Sequence, residues 1–491
     1  MQLIIPAGVN ILEYIRNKGL SLPAHCSGAG VCGKCVIRVL AGSIDISSAD
    51  RALLDEAQLK MGMRLACKAL TKAPVRIELP DAQSGYNSPD RKWGEPDKAH
   101  AFGIAADIGT TTVALSLVDI TDKRAVRTVT LTNSAAAYGA DVITRIGSAL
   151  SGKGAAIKSA MQADLAAGIE ALGCTGLDVR KMSIAANTAM YHLLLGLDCT
   201  GLAKAPFAPV TLGGERLTLS EITGQKAALA EIPVTLIKGI SAFIGGDISS
   251  GLACTETAGS TLFLDLGTNG EAALITRDGI VCASAAAGPA LEGGQLRFGM
   301  GGVKGAICRV YDKDGGIAFD TVENAPAAGI CGSGAVDALA LCVRRGLIDE
   351  QGVFVDSLFE GGLKLTESIA LTQQDIRELQ LAKAAIRACL DTLLEHAHTE
   401  YADIDRLVIA GGFGHYLDID SACDIGLIPK ELKGKAVTLG NTSLRGAEVS
   451  LYDEGFFGRL EALTKSAVTL PLSEDEGFKG RFIGNIGFSV R

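Results

Sequence analysis

The sequence lacks any long apolar run: apolar residues make up 48% of its 491 residues, yet no stretch of eighteen or more is free of polar residues. It therefore predicts no membrane-spanning helix. The N-terminus also lacks a basic start followed by a long apolar core, because Glu13 and Arg16 interrupt the only candidate, so we predict no signal peptide and a cytoplasmic protein. The net charge of −9 argues against a nucleic-acid-binding protein held by phosphate contacts.

Two common nucleotide-binding signatures are missing as well. Neither a Walker A loop nor the dinucleotide pattern Gly-x-Gly-x-x-Gly is evident, which argues against P-loop and Rossmann sites. The chain is instead rich in glycine, with 60 residues, well above the usual ~7%. This composition favours tight turns and close backbone approaches of the kind that phosphate-binding loops need.

Thirteen cysteines are present, an odd number in a long chain, which favours a reducing compartment over a disulfide framework. Four lie near the N-terminus with the spacing Cys-x5-Cys-x2-Cys-x31-Cys, namely Cys26, Cys32, Cys35 and Cys67. Four thiolates are what a 2Fe–2S cluster needs, two for each iron. A structural zinc site is the alternative, but zinc usually takes two Cys-x2-Cys knuckles and this segment has one. We therefore predict that these cysteines bind a 2Fe–2S cluster.

The pattern along the chain predicts three parts. The pattern predicts a small α+β domain at residues 1–80 and a polar linker with proline, glycine and serine at residues 81–101. It predicts an α/β body of alternating strands and helices for the remainder. Charge is uneven, with a net of +4 in residues 1–80 and −13 in the rest. The basic part is either ordinary solvated surface or a docking face around a redox centre.

The α/β body contains a weak internal repeat. Ala106–Thr112 reads ADIGTTT and Thr261–Glu271 reads TLFLDLGTNGE, and each is a strand, an acidic residue, a Gly-Thr turn and a second strand. Asp107 and Asp265 lie a lobe's length apart in the sequence. We predict two equivalent lobes with a cleft between them, lobe I at 102–257 and lobe II, with a C-terminal extension, at 258–491.

Such hairpins have a clear use, because their turns present N–H and hydroxyl groups to phosphates while an acid at the strand end holds Mg²⁺, mostly through water. We predict Asp107 and Asp265 as catalytic. The predicted nucleotide-binding residues are those of the two turns, of the glycine pair that ends a buried strand at 407–414, and of a helix start at 329–334: Gly109, Thr110, Thr111, Gly267, Thr268, Asn269, Gly411, Gly412, Gly332 and Ser333. Each motif alone is weak, but their order predicts ATP with Mg²⁺.

These motifs also carry a resemblance. Residues 1–80 resemble β-grasp 2Fe–2S ferredoxins, and the order of the hairpins and the glycine pair resembles the superfamily of acetate and sugar kinases, heat-shock chaperone ATPases and actin. The fusion of the two resembles the reductive activators of corrinoid proteins in anaerobic methyl transfer. The segments that carry this resemblance are CSGAGVCGKC, ADIGTTT, YGADVITRI, AANTAM, FLDLGTNGE, GPALEGG, GICGSG, QQDIRELQLAKAAI, AGGFG and GNTSLRGA. It implies a β-grasp ferredoxin domain followed by a two-lobed α/β ATPase.

The resemblance implies an activity as well. One electron would pass from the cluster to the cobalt(II) of a corrinoid protein, giving cobalt(I), in a step that is uphill from a ferredoxin-type donor and is driven by ATP hydrolysis. It implies a corrinoid protein and an upstream electron donor as partners, and it leaves a homodimer open. Longer family members carry a further middle domain where this chain has only the linker. Two other functions stay open: a small-molecule kinase with a regulatory ferredoxin domain, and an electron carrier that only senses ATP.

Overall fold

The computed structural model describes residues 1–18, 22, 28, 30, 33, 35–54, 56–79, 95–224, 229–256, 259–413 and 416–488. Cys26, Cys32, Gly414 and most of the predicted linker lie outside the described residues. Within these ranges, no helix is long and apolar enough to cross a membrane.

The N-terminal domain is built on an antiparallel four-stranded sheet with the order β1-β4-β2-β3. Helix α1 buries Ile11, Leu12 and Ile15, which recur on one helical face, against this sheet. The elements are β1 Gln2–Ile5, α1 Ile11–Asn17, β2 Val36–Ala41, α2 Ser48–Leu53, α3 Glu56–Lys60, β3 Met63–Leu65 and β4 Val75–Glu78. A single 3-10 turn, Ala66–Lys68, follows β3.

Lobe I contains a six-stranded sheet with the order β7-β6-β5-β8-β10-β9. Its central strand β5 is buried along almost its whole length because helices cover both faces. The elements are β5 Ala101–Ile108, β6 Thr112–Asp119, β7 Arg124–Thr132, α4 Val142–Ser148, α5 Gly154–Ala171, β8 Asp178–Ala186, α6 Thr188–Leu195, α7 Thr200–Ala203, β9 Arg216–Thr218, α8 Leu219–Thr223, β10 Pro233–Leu236 and α9 Gly246–Cys254.

Lobe II contains a second six-stranded sheet with the order β20-β19-β11-β12-β13-β21. Smaller sheets, β15-β14-β16 and β17-β18, are inserted beside it. The elements are β11 Thr261–Leu266, β12 Gly270–Thr276, β13 Gly279–Ala285, β14 Ala306–Lys313, β15 Gly316–Thr321, β16 Gly329–Ile330, α10 Gly332–Arg344, α11 Asp356–Phe359, β17 Leu363–Lys364, β18 Ala370–Leu371, α12 Gln373–His396, β19 Arg406–Ala410, α13 Ile419–Asp424, β20 Ala436–Gly440, α14 Thr442–Ser450, α15 Phe456–Ser466, β21 Ala467–Thr469 and α16 Phe478–Gly484.

The predicted internal repeat is confirmed by the two large sheets, which share strand order and direction. Strands β7-β6-β5-β8-β10 of lobe I correspond to β13-β12-β11-β19-β20 of lobe II. In each lobe the central strand pairs antiparallel with the next strand of its hairpin and parallel with the strand on its other side. Asp107 lies opposite Ala185, and Asp265 lies opposite Ala410, so the two acids occupy equivalent positions.

Two helices cross between the lobes. Helix α9 follows the last parallel strand of lobe I, yet Leu252 packs with Phe263 in the sheet of lobe II. Helix α14 follows β20 of lobe II, yet Ala447 packs with Ala185 in the sheet of lobe I. Part of the predicted lobe II segment 258–491 therefore covers the sheet of lobe I.

The crossing helices touch through small residues. A Cβ at Gly446 of α14 would collide with the carbonyl oxygen of Ser250 on α9. The Ser250 hydroxyl also donates to the carbonyl of Ser443 at 2.9 Å. Both helices begin at the space between the lobes, so this contact lies directly behind the candidate site.

Candidate functional site

Two of the four predicted cluster ligands lie at the same end of the paired strands β2 and β3. Cys35 immediately precedes β2, and Cys67 lies in the turn after β3. The carbonyl of Cys35 accepts the N–H of Ala66 at 2.8 Å, and the carbonyl of Cys67 accepts the Asn10 side-chain amide at 3.0 Å. Both cysteines are buried. These contacts place Cys35 and Cys67, which 31 residues separate in the sequence, at the same end of the two paired strands.

The glycines of the cysteine loop suit a cluster. Gly28 and Gly33 have φ values of 99° and 68°, which are left-handed and favour glycine. A Cβ at Gly28 would lie 3.8 Å from the Cβ of Cys67, so the loop passes close to that ligand. Two buried cysteines with left-handed glycines nearby fit part of the ligand set of a 2Fe–2S cluster. Cys26 and Cys32, which would complete the set, lie outside the described residues.

A cleft of about 790 Å³ lies between the lobes and collects every predicted nucleotide residue. This volume falls in the ~300–1,000 Å³ range of cofactor sites. The predicted residues among its lining are Asp107, Gly109, Thr110, Thr111, Asp265, Gly267, Thr268, Asn269, Gly332, Ser333, Gly411 and Gly412. The two hairpin turns, the glycine pair and the helix start therefore share one cavity.

Polar side chains support the lobe I turn from behind. The turn is closed by Gly109, whose N–H donates to the Thr112 carbonyl at 2.9 Å. The amide of Asn133 donates to the Gly109 carbonyl at 2.8 Å, and the amide of Asn187 donates to the Thr110 hydroxyl at 3.3 Å. With its carbonyl and side chain held, the turn is fixed before any ligand arrives.

A fully buried arginine also supports this turn. The guanidinium of Arg145 donates to the carbonyls of Thr110 and Gly139 and contacts the sulfur of Met190. Burial lowers the pKa of Arg145 to about 10, so it keeps its charge at neutral pH. A buried cation behind a phosphate-type turn adds positive potential where an anion would bind.

Both carboxylate oxygens of Asp107 are engaged by helix α14. The amide of Asn441 donates to Oδ2 at 2.7 Å, and the hydroxyl of Ser443 donates to Oδ1 at 2.8 Å. Burial nevertheless raises the pKa of Asp107 above its ordinary value. Asp107 therefore joins the lobe I strand end to the crossing helix.

The lobe II turn depends on one glycine contact. Gly411 has a φ of 92°, and a Cβ there would lie 2.8 Å from Oδ1 of Asp265. Only glycine lets strand β19 end so close to that carboxylate. A Cβ at Gly412 would meet nothing within 4 Å, so its backbone is open to the cleft.

Four further carboxyl groups line the cleft, those of Asp247, Asp265, Glu271 and Glu292. Burial, with the nearby charges of Asp247, Asp107 and Glu292, raises the pKa of Asp265 to about 8. Burial also raises the pKa of Asp247 to about 7, and raises that of Glu271 well above its ordinary value. Such a group of acids is suited to a cation, whose charge would return them to the ionised form.

Glu292 connects the two turns directly. Its Oε2 accepts the hydroxyl of Thr268 from lobe II at 2.6 Å and the hydroxyl of Thr111 from lobe I at 3.3 Å. Burial raises the pKa of this carboxyl as well. The bridge spans the cleft at the place where the two predicted phosphate turns face each other.

Four helices begin at the cleft: α6, α9, α10 and α14 each contribute a residue of their first turn or cap to its lining. Helix N-termini favour anions because their first N–H groups lack partners within the helix. At α10, Gly332 is required since a Cβ would collide with the Leu291 carbonyl oxygen. The Ser333 hydroxyl donates to the Cys308 carbonyl at 3.0 Å, so that side chain is engaged in the fold.

The sequence predictions gave no role to five residues that the cleft brings together: Arg145, Asn187, Asp247, Glu292 and Asn441. Four of them lie in segments that carry the family resemblance. The signal that could have found them is a polar side chain within such a segment. Asp247 follows a glycine pair at the start of α9, a pattern that was available in the sequence. Burial and distance, rather than residue type, distinguish these side chains.

Three family models match the chain. One, described as the 2Fe-2S iron-sulfur cluster binding domain, matches residues 2–72; a second, the RACo middle region, matches 102–259; and a third, the C-terminal domain of RACo, the ASKHA domain, matches 259–490. ASKHA denotes the kinase, chaperone and actin superfamily. The middle-region match at 102–259 coincides with lobe I and does not extend into the predicted linker at 81–101.

Similar proteins and a similar structure agree with these matches. The corrinoid activation enzyme RamQ of Eubacterium limosum is 33% identical over 422 residues, 79% of this chain and 70% of that protein. The [Co(II) methylated amine-specific corrinoid protein] reductase of Methanosarcina barkeri is 29% identical over 381 residues, 70% of this chain and 68% of that protein. A solved reductive activator for corrinoid, iron-sulfur protein has a TM-score of 0.72 and 26% identity, covering 99% of this chain and 96% of its own.

Proposed function

The chain belongs to the RACo family of reductive activators, and on that premise we propose that it transfers one electron to the cobalt(II) of a corrinoid protein, giving cobalt(I), and couples the transfer to ATP hydrolysis. The observation that carries the proposal is the cleft, where equivalent turns of both lobes face each other in a chain that also has a cluster-binding domain. A ferredoxin alone would not need such a cleft.

In the N-terminal domain we assign cluster binding to Cys26, Cys32, Cys35 and Cys67. When bound, the 2Fe–2S cluster supplies a one-electron donor. The protein's own part is to keep the ligands buried and to aim the N–H groups of the loop at their sulfurs, which tunes the donor's potential. An upstream reductant must refill the site, and a homodimer remains a prediction, as does the cytoplasmic location.

In the cleft we assign phosphate binding to the turns around Gly109–Thr112 and Gly267–Gly270. The raised pKa values of Asp265 and Glu271 support Mg²⁺ as the cation that accompanies ATP. The open backbone at Gly412 supports its assignment to the adenosine. Arg145, behind the lobe I turn, contributes positive charge without touching the ligand.

Asp247 is our candidate for the general base of hydrolysis. Its Oδ1 accepts the Ile248 N–H at 2.8 Å, and its pKa of about 7 matches the operating pH of a base. It would take a proton from water as the water oxygen bonds to the terminal phosphorus and the bond from that phosphorus to the ADP oxygen breaks. ADP, phosphate and a proton are the products.

A small-molecule kinase is the second candidate, because a base beside Asp265 is also what a kinase of this superfamily would need. In that reaction Asp247 would deprotonate a substrate hydroxyl instead of water. The products separate the two: a kinase forms a phosphorylated metabolite, whereas the proposed reaction releases all of the phosphate.

The test uses the full chain purified without oxygen, with its cluster reduced, and a cobalt(II) corrinoid protein recovered with it from the native cells. With Mg²⁺-ATP we expect the cobalt(I) absorption band to grow over many turnovers. With a non-hydrolysable analogue it should stop after about one event or less. Equal cobalt(I) yield with and without nucleotide would overturn the proposal, and stoichiometric phosphorylated product would favour the kinase.

A further inference from the structure

The bridge made by Glu292 uses the groups that a phosphate would use. Thr111 and Thr268 belong to the two turns assigned to phosphate binding, and both hydroxyls donate to one oxygen of Glu292. The second oxygen, Oε1, lies beside the lobe II turn, since a Cβ at Gly267 would be 3.6 Å from it. The carboxylate thus sits between the turns as a terminal phosphate would.

The backbone that carries Glu292 is held in place. It ends a 3-10 turn, Pro289–Glu292, which is flanked by Gly288 and Gly293 with φ values of 77° and 78°. Leu291 is fully buried, and its carbonyl lies against Gly332 at the start of α10. A Cβ at Gly293 would collide with the Met300 carbonyl. The backbone of this turn is therefore fixed. Breaking the two hydrogen bonds from Thr111 and Thr268 requires movement of the Glu292 side chain alone.

We propose that Glu292 occupies the position of the terminal phosphate in the nucleotide-free protein, so that ATP must displace it and ADP need not. Carboxylate and phosphate accept from the same two hydroxyls and carry like charge, so one excludes the other. ADP ends one phosphate earlier and leaves the bridge between the lobes closed. Glu292 is thereby the residue that distinguishes ATP from ADP, an inference that rests on the proposed binding of ATP in this cleft.

The electrostatics of the cleft agree with this exchange. Glu292 is one of the charges that raise the pKa of Asp265, so its departure lowers the number of like charges around that acid. The Mg²⁺ that accompanies a triphosphate offsets part of the negative charge that the triphosphate adds in place of the carboxylate. After hydrolysis, the two hydroxyls are available to Glu292 again as phosphate leaves.

The experiment measures nucleotide affinity, not turnover. Full-length protein with its cluster is titrated by calorimetry with Mg²⁺-ADP and with the Mg²⁺ complex of an imido analogue of ATP, which keeps a terminal phosphate. In Glu292→Ala we expect the analogue to bind about tenfold tighter, equivalent to ~1.4 kcal/mol, while the ADP affinity stays within about twofold. Glu292→Gln keeps an acceptor but loses the charge, so its affinity for the analogue should lie between those of the wild type and Glu292→Ala.

Glu360→Ala is the matched control, because Glu360 is an exposed glutamate of the same lobe and its removal should change neither affinity. Weaker binding of the analogue in Glu292→Ala would overturn the proposal and make Glu292 a ligand of the metal or nucleotide. Equal changes for both nucleotides, or no change for either, would overturn it too. Failure of the wild type to bind either nucleotide would instead refute the proposed function.

Discussion

At the scale of single residues, the cleft contains several buried carboxyl groups whose ionised forms need a compensating positive charge or hydrogen bonds. Asp107 is compensated by two hydrogen bonds from α14, whereas Asp247 and Asp265 have pKa values raised to about 7 and 8. Burial is the largest cause in each case. Acids of this kind reduce stability unless a cation binds, so their presence is better explained by a ligand than by the fold.

Replacing Asp107 or Asp265 by Asn tests these acids. Each change removes a carboxylate from the proposed magnesium and water site, so we expect ATP turnover to fall about 100-fold, equivalent to ~2.7 kcal/mol of activation free energy. Asp107→Asn also places an amide N–H₂ against the donors Asn441 and Ser443. Phosphate release measured under saturating Mg²⁺-ATP gives the answer.

Asp314→Asn serves as the matched control for both variants, because Asp314 is exposed in the β14–β15 turn. It should keep wild-type turnover, and all three variants should keep the cluster's visible absorbance since the cysteines are elsewhere in the chain. Normal hydrolysis by both Asp107→Asn and Asp265→Asn would mean that the site is misplaced.

At the scale of elements, helix α6 connects the cleft to an outer loop. Asn187 caps it at the cleft, with Oδ1 accepting the Met190 N–H at 2.9 Å. One turn later the buried His192 contacts the Thr188 carbonyl through Nδ1 at 2.7 Å and accepts the Val210 N–H through Nε2 at 2.9 Å. This pattern requires a neutral ring with its proton on Nδ1, since a protonated Nε2 could not accept.

The contribution of His192 to the stability of lobe I should therefore decrease as the pH falls. Burial lowers the pKa of His192 below 6.5, so the folded form binds its proton less readily than the unfolded form. The stabilisation is present above the unfolded pKa and is lost as the pH falls from 6.5 through the lowered folded value. Between pH 8 and pH 5.5, the thermal midpoint of wild type should drop more than that of His192→Gln.

His396→Gln is the control for that comparison, because His396 is exposed at the end of α12. It should follow the wild-type pH dependence. His100 acts with the opposite sign, since its hydrogen bond to Asp119 raises its pKa, and its contribution is lost as the pH rises. Only the difference between variants therefore reports on His192, and an identical slope for wild type and His192→Gln would contradict the prediction.

At the scale of the whole molecule, a basic ferredoxin domain is joined to an acidic ATPase. The net charges are +4 for residues 1–80, before any cluster is counted, and −13 for the rest. The sequence predicts a linker at 81–101 between the two parts. In the proposed reaction the ferredoxin domain meets a reductant and then a corrinoid partner, and we expect its charge to affect both encounters.

Electron delivery to the partner should accordingly slow as salt is added. Between about 0.02 and 0.5 M salt we expect the bimolecular rate of cobalt(I) formation to fall about tenfold, because screening becomes effective once the Debye length is below ~10 Å. Stopped-flow absorbance at fixed Mg²⁺-ATP measures it. Arg76→Gln, at an exposed position of β4, should reduce both the rate at low salt and its salt dependence.

Lys364→Gln removes the same charge from an exposed position of the acidic body and is the matched control. It should not reduce the rate at low salt. A rate that is independent of salt, or equal loss in Arg76→Gln and Lys364→Gln, would show that the basic domain does not steer the encounter.

Features that are local in the chain could be predicted from the sequence. The spacing around Cys26, Cys32 and Cys35 and the two strand–acid–turn hairpins of Asp107 and Asp265 are visible because neighbouring residues build them. The hairpins reappear at equivalent places in two sheets of the same order. Helix α1 and its buried face also follow from the period of its apolar residues.

Which distant side chains meet depends on how whole elements pack. Asn441 reaches Asp107 across 334 residues, and Glu292 reaches Thr111 across 181. The exchange of α9 and α14 between the lobes likewise depends on where their apolar faces find a sheet. No local period encodes such pairings, because they arise from the packing of whole elements. The pKa of Asp247 is likewise raised only once that packing has buried its carboxyl group.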